Sequence, residues 1–189
     1  AIDAFDVFGR DRKEEISRIL PTLNIIGKLL KLNHKFEVNL IGSGNIGKDF
    51  YDKFINNEYI KLILPAKGRN LNAIYNSDFV ITKFGTSNLE CAFLGVPFVA
   101  VYKASFLNYI IAKTLVKLKY VSLVNIVMNK EIVKEYIQDK FTTNNIIKET
   151  ERIFSDSFYR NKMLQEFGML KNSFDKERIN PAEYICKEI

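Results

Sequence analysis

The run Asp78-Phe79-Val80-Ile81-Thr82-Lys83-Phe84-Gly85-Thr86-Ser87-Asn88-Leu89-Glu90 holds the chain's most pointed chemistry. Its first half is an apolar strand pattern, its second half opens a helix, and Gly85 lies between. A helix opening there presents backbone N–H groups and the positive end of its dipole, which is an anion site. Thr86 and Ser87 can cap that helix or hydrogen-bond a phosphate, and Asn88 adds an amide. Glu90 follows about one turn later, within reach of a hydroxyl beside the bound anion. A diphosphate joined to a ribose fits this layout. The plainer alternative is an N-capped helix carrying a stray carboxylate.

Three other groups of residues compete for the same role. Gly42-Ser43-Gly44-Asn45-Ile46-Gly47 has the permissive G-x-G-x-x-G spacing after a strand pattern. The acidic residue that a dinucleotide site needs at the end of the next strand is missing, because that strand, 60–64, stops at Pro65. A βα turn that needs glycine for close packing is the better reading, with a minor part in lining a phosphate pocket left open. Arg12, in Arg10-Asp11-Arg12-Lys13-Glu14-Glu15, either faces the crevice as a phosphate contact or belongs to a solvated first helical turn. Tyr120-Val121-Ser122-Leu123-Val124-Asn125 sets Asn125 in an apolar loop, where it positions either backbone or ligand.

These residues need a scaffold, and the hydrophobic periodicity supplies one. Val7-Phe8, 36–41, 60–64 and 79–82 read as strands, with another after the Gly95-Val96-Pro97 stop. Helical spacing covers 12–32, with Pro21 predicting a break or kink near residue 20, then about 45–57 and 71–76. Alternation of this kind predicts an α/β fold, a Rossmann-like parallel sheet with helices on both faces. Residues 106–118 read as one apolar helix, with Lys113 and Lys117 on one side. It either packs on the sheet or lies on an anionic membrane surface. Residues 120–127 read as extended or looped, and 130–138, 143–154, 156–172 and 180–188 as a helical C-terminal tail. The expected organisation is one domain over 1–189, with the sheet in about 1–128 and the tail in about 129–189.

Composition narrows the function. The 189 residues are 47% hydrophobic, enough for a sizeable core, and the net charge of +6 favours anionic partners. Lys and Arg are scattered along the chain, which argues against nucleic acid. Cys91 and Cys186 are far apart and read as reduced thiols of a cytosolic protein. The single His34 sits in a polar turn and reads as a solvated loop residue, so no metal site is expected. No run of 18 apolar residues is present to span a membrane. The opening residues look like a strand entered in mid-protein.

The glycine turn, its Glu90 and the Gly95-Val96-Pro97 stop resemble the carboxyl-terminal domain of GT-B glycosyltransferases that use sugar nucleotides. The run Ala112-Lys113-x-Leu115-Val116-Lys117-x-x-Tyr120-Val121-Ser122-Leu123-x-Asn125-Ile126, with Asn129-Lys130-Glu131 and Val133-x-Glu135-x-x-Gln138, resembles the lipid-A-disaccharide synthases more narrowly. Arg12-x-x-Glu15-Ile16-x-Arg18-x-Leu20-Pro21 matches the same family. Three departures stand out. Phe8-Gly9-Arg10-Asp11-Arg12 replaces a Pro-Gly-Ser-Arg loop, Val124 stands where Pro is usual, and Lys83-Phe84 stand where small residues are common.

The resemblance covers nearly the whole chain but only the carboxyl-terminal half of the family's protein. It implies a hexosyltransferase that joins UDP-2,3-diacylglucosamine to 2,3-diacylglucosamine 1-phosphate and releases UDP in lipid A biosynthesis, with no cofactor. The implied UDP-binding residues are Arg12, Gly85, Thr86, Ser87, Asn88, Glu90, Tyr120, Ser122 and Asn125. The catalytic base and the acceptor pocket are expected on an amino-terminal domain outside this chain, so no catalytic residue is assigned here. A cytoplasmic, peripheral place on the inner membrane follows from the lipid substrates. The alternatives are a non-catalytic nucleotide or phosphate binder, and another transferase of the UDP-N-acetylglucosamine type, since those share the glycine turn.

Overall fold

The computed structural model describes residues 2–3, 12–43, 45–64, 70–103 and 119–177, with backbone alone at 2–3, 12, 70 and 175–177. In chain order the elements are β1 (Ile2–Asp3), α1 (Arg12–His34), β2 (Asn39–Ile41), α2 (Lys48–Tyr51), β3 (Lys61–Ile63), α3 (Asn70–Tyr75) and β4 (Val80–Lys83). Then come α4 (Thr86–Phe93), β5 (Phe98–Tyr102), α5 (Leu123–Val127), β6 (Glu135–Ile137), a 3-10 turn at Gln138–Lys140, α6 (Thr143–Ser155) and α7 (Ser157–Glu177). The six strands form one parallel sheet in the order β3-β2-β1-β4-β5-β6. The fold is α/β and Rossmann-like, as expected.

The sheet's centre is its driest part. Val80, Ile81, Phe98, Val99 and Ala100 are buried, which explains why β4 and β5 read as continuous apolar runs instead of alternating. Right-handed crossovers put α1 and α4 on opposite faces. Helix α6 packs on α1, while α7 packs on α4 and on α6. The carboxyl-terminal helices thus close the core that the sheet begins, and Phe167 stacks on Phe98 at 5.6 Å between ring centres.

Four sequence expectations are corrected. Helix α1 runs through Pro21 without a break. Pro21 is exposed while Leu20 and Leu23 are buried. Each such leucine contributes about 1.5–3 kcal/mol, and together they offset the roughly 3 kcal/mol that proline costs inside a helix. The same helix continues to His34, whose Nε2 lies 3.4 Å from Glu151 Oε1 on α6, so His34 is not a solvated loop residue. Residues 120–127, which read as extended or looped, contain α5. Residues 130–138, read as helix, form a turn and then β6, a sixth strand held by β5 through the register Ala100–Glu135, Val101–Tyr136 and Tyr102–Ile137.

Other differences are of extent. The helix expected over 45–57 is the single turn Lys48–Tyr51. The Val7-Phe8 strand, the 106–118 helix with Lys113 and Lys117, the 180–188 helix and Cys186 lie outside the described residues.

Gly42 sits where the packing reading places it. A Cβ there would meet Leu64 Cδ2 at 2.6 Å and the Tyr51 ring at 2.9 Å. Tyr51 is buried, and its hydroxyl accepts a hydrogen bond from the Ser43 N–H at 2.7 Å. Close approach of helix to strand thus accounts for this glycine. Gly47 has open space around it.

Candidate functional site

The strand order reverses between β1 and β4. In open parallel sheets such a reversal leaves a crevice at the carboxyl ends of the strands, because successive helices depart to opposite faces there. Helix α1 follows β1 and opens at Arg12, and α4 follows β4 and opens at Thr86. The Arg12 side chain lies outside the described residues.

Gly85 makes the turn into α4 with φ 152° and ψ −168°, a combination that side-chain-bearing residues rarely adopt. As the N-cap it has no side chain, and among the described residues no side-chain cap bond closes this end. The Thr86 and Ser87 N–H groups are therefore the ones an anion can meet here, while that of Asn88 donates to the Gly85 carbonyl at 3.1 Å. At its other end α4 stops in a Schellman motif. Gly95 takes φ 70°, the Val96 N–H bonds the Cys91 carbonyl at 2.9 Å, and the Gly95 N–H bonds the Ala92 carbonyl at 3.1 Å. The helix is thus fixed firmly at the end away from the crevice.

The four polar residues of this helix divide into two kinds. Ser87 and Asn88 are buried, and their side chains are used internally. The Ser87 hydroxyl shares a 2.7 Å hydrogen bond with the Thr82 hydroxyl, and Asn88 Nδ2 donates to the Lys83 carbonyl at 2.8 Å. Both side chains pin the turn to the end of β4, and the Asn88 N–H donates to the Gly85 carbonyl, so what remains here for a ligand is the Ser87 N–H. Asn88 Oδ1 is buried with no hydrogen-bond partner among the described residues. Thr86, in contrast, is exposed at the mouth. Glu90 is half-buried, and burial alone raises its pKa above the ordinary 4.5. No described residue donates a hydrogen bond to its carboxylate.

A partly buried ion pair crosses the reversal point. Lys83, at the end of β4, is 4% exposed. Its Nζ lies 2.6 Å from Glu15 Oε2 in the first turn of α1. Glu15 is therefore not part of a solvated first turn, although exposed Glu14 is, paired with Arg18. Beside this pair stands Tyr102, at the end of β5, whose ring is 5.9 Å from that of Phe84. Burial, and then the Glu15 charge, push the Tyr102 hydroxyl pKa upward.

The Tyr120–Asn125 segment is built around two residues. Asn125 is fully buried. Its Nδ2 donates to the Val133 carbonyl and to Glu135 Oε1, both at 2.8 Å. Its Oδ1 accepts the Ile132 and Val133 N–H groups at 2.8 and 3.0 Å. An amide has two donors and two acceptor sites, so Asn125 has nothing left for a ligand and acts as the clamp of this segment. Glu135 completes it, accepting from the Val121 N–H at 3.0 Å, the Ser122 N–H at 2.9 Å and Asn125.

Sequence reasoning assigned Glu135 no role. A lone carboxylate at the start of a short apolar stretch was the available signal. Ser122 is buried, with no hydrogen-bond partner for its hydroxyl among the described residues. Tyr120 is half-buried beneath the Lys119 ammonium, 5.1 Å from the ring centre. Helix α5 packs on α4, which brings Ser122 and Asn125 to the helix that carries Thr86 and Glu90.

Among the described residues no group of three or more His, Cys, Asp or Glu is placed to hold a metal ion. A cavity of about 320 Å³ lies at the opposite pole, at the amino ends of β2 and β4, lined by Phe36, Val38, Phe79 and Phe154. It is remote from the glycine turn.

The family model described as lipid-A-disaccharide synthetase matches residues 6–189. The chain belongs to that family. The lipid-A-disaccharide synthase of Rickettsia prowazekii is 32% identical to it over 185 residues, covering 93% of this chain and 45% of the relative. That of Acinetobacter baylyi is 30% identical over 188 residues, with 92% and 46% covered. Lipid-A-disaccharide synthase 1 of Legionella pneumophila (strain Paris) is 30% identical over 168 residues, with 88% and 44% covered. This lipid-A-disaccharide synthetase family member thus spans a little less than half the length of those relatives. Among its described residues no helix is long and apolar enough to cross a membrane.

Proposed function

We propose that this chain is the UDP-sugar-binding part of a glycosyltransferase. The reaction joins UDP-2,3-diacylglucosamine to 2,3-diacylglucosamine 1-phosphate, giving lipid A disaccharide and UDP. The observation that carries the reading is the α4 terminus at Gly85, without a side-chain cap from its N-cap residue and set at the reversal of strand order, with the half-buried Glu90 carboxylate, which no described residue bonds, one turn along the same helix.

Breaking the bond between the anomeric carbon and the diphosphate oxygen leaves negative charge on the diphosphate. The N–H groups of Thr86 and Ser87, the helix dipole and the Thr86 hydroxyl are set to receive it. Glu90 accepts hydrogen bonds from the ribose hydroxyls and fixes the nucleoside. Arg12 is assigned a phosphate contact by its place at the opening of α1. Tyr120 and Ser122 complete the nucleotide side, with Asn125 and Glu135 holding their backbone. The acceptor hydroxyl and its base belong to the part of the family's protein that this chain does not span. We read 1–189 as one nucleotide-sugar-binding domain, serving a protein held peripherally at the cytoplasmic face of the inner membrane by its lipid substrates.

Calorimetric titration with UDP, against ADP, GDP and CDP, tests the reading. A Kd of about 10 µM raises stability by about 2.7 kcal/mol at roughly 1 mM free UDP, which appears as a higher Tm. No heat and no thermal shift at millimolar UDP sinks the reading, and equal affinity for all four nucleotides favours a general phosphate binder.

A further inference from the structure

Lys83 is the one described lysine buried to this degree, and it sits two residues before Gly85. Alternation along β4 explains where it goes. Thr82 points toward α4, where its hydroxyl meets Ser87. Lys83 therefore points to the other face, where α1 begins, and its ammonium meets Glu15 at 2.6 Å. The two ends of this bond belong to the end of β4 and the first turn of α1, which bound the crevice. The Lys83 backbone carbonyl is also held, by Asn88 Nδ2 at 2.8 Å, so this residue is fixed to α4 as well. One side chain and one carbonyl of the same residue thus tie the openings of both helices to β4.

We infer that Lys83 is a positioning residue, which through Glu15 sets the first turn of α1 at a fixed spacing from the Gly85 turn. The inference rests on the proposed donor site, since that spacing is what a diphosphate bridging the two helix openings has to match. A pair withdrawn from water is strong only while both members are present, because removing one leaves an uncompensated charge. Surface ion pairs rarely carry such a role.

The test uses the whole chain and three variants: Lys83→Met, Lys83→Arg, and the charge exchange Lys83→Glu with Glu15→Lys. Amide hydrogen exchange reports on α1 without any ligand. In Lys83→Met, exchange at residues 15–18 is expected to quicken about tenfold or more relative to the middle of α7, while Lys83→Arg stays near the parent. UDP and uridine titrations report on the crevice. Lys83→Met is expected to weaken UDP about tenfold and uridine less than threefold, and the charge exchange is expected to recover at least half of the lost affinity.

Unchanged exchange at 15–18 in a folded Lys83→Met overturns the inference, whether or not UDP binds. Equal weakening of UDP and uridine overturns it too, because that marks a general loss of stability. A charge exchange that restores the pair but not UDP overturns it in favour of direct contact between Lys83 and phosphate. Failure of the parent chain to bind UDP counts against the donor-site reading alone, and hydrogen exchange then still decides the role of Lys83.

Discussion

Glu90 is placed where its surroundings oppose its charge, and nothing described in the protein compensates it. Its pKa is raised above 4.5 by burial. The sign of the consequence follows from linkage. Below its unfolded pKa the group is protonated in both states and costs nothing. As pH rises through the higher folded pKa the buried carboxylate ionises, and stability without ligand declines. Glu90→Gln is therefore expected to raise Tm at pH 7 and to flatten the fall in stability above pH 4.5. The same change should weaken UDP, since ribose then meets a neutral acceptor. Glu90→Ala, which removes the acceptor, is expected to weaken UDP and uridine by about 1.5–3 kcal/mol each and inorganic phosphate hardly at all. Calorimetry with the three ligands checks this, and equal loss for phosphate points instead to damage of α4. The places of Gly85 and Glu90 were legible in the sequence because they follow from local order, a turn and then one helical turn. The inward turn of Ser87 and Asn88 was not, because it depends on where Thr82 and the Lys83 carbonyl lie.

At the scale of elements, legibility followed the length of the pattern. Helix α1 offered Ile16, Ile19, Leu20, Leu23, Ile26 and Leu30 as one buried stripe, and its length was read nearly in full. Only the effect of Pro21 was misjudged, because burial on either side of it is a tertiary quantity. Strand β6 had three half-buried residues and no alternation of its own. It is a strand because the free edge of β5 is there to pair with, and that edge is invisible to local propensity. Helix α5 and β6 are joined by the Asn125 clamp, and this gives a stability prediction. Asn125→Ala leaves the Ile132 and Val133 N–H groups and the Val133 carbonyl without their amide partner. With about 1–3 kcal/mol for each buried group left unsatisfied, urea denaturation should show a loss of at least 3 kcal/mol, roughly the sum of the lower values. Asn125→Asp should be no milder, since it sets a second carboxylate against Glu135. If the clamp role is right, UDP affinity of the folded fraction changes less in either variant than in Glu90→Ala. A larger change in affinity than in stability would return Asn125 to the list of direct ligand contacts.

Across the whole molecule, the strand order β3-β2-β1-β4-β5-β6 does the positioning. It sends α1 and α4 to opposite faces and leaves their openings side by side at the carboxyl edge. The net charge of +6 suits a doubly anionic ligand there. Alternation of strands and helices made this plan legible before any contact was known, whereas the Lys83–Glu15 bridge, joining residues 68 apart in sequence, was not. On the proposed reading, the arrangement holds one reactant. Transfer also needs the acceptor hydroxyl aligned with the anomeric carbon, and alignment of two reactants supplies up to about 7–11 kcal/mol of a barrier. In a GT-B enzyme that alignment is made in a cleft between two domains, and this chain spans 44–46% of its relatives. The purified 189-residue chain is therefore expected to bind UDP and to form no disaccharide from diacylglucosamine substrates. Turnover should appear only with the remaining part of a family member's chain joined to it. A radiolabelled-donor assay with product separation decides the matter. Disaccharide above the no-protein background from the 189 residues alone would place a base and an acceptor pocket within them, and His34, paired with Glu151 at the far end of α1, is not positioned to serve as that base.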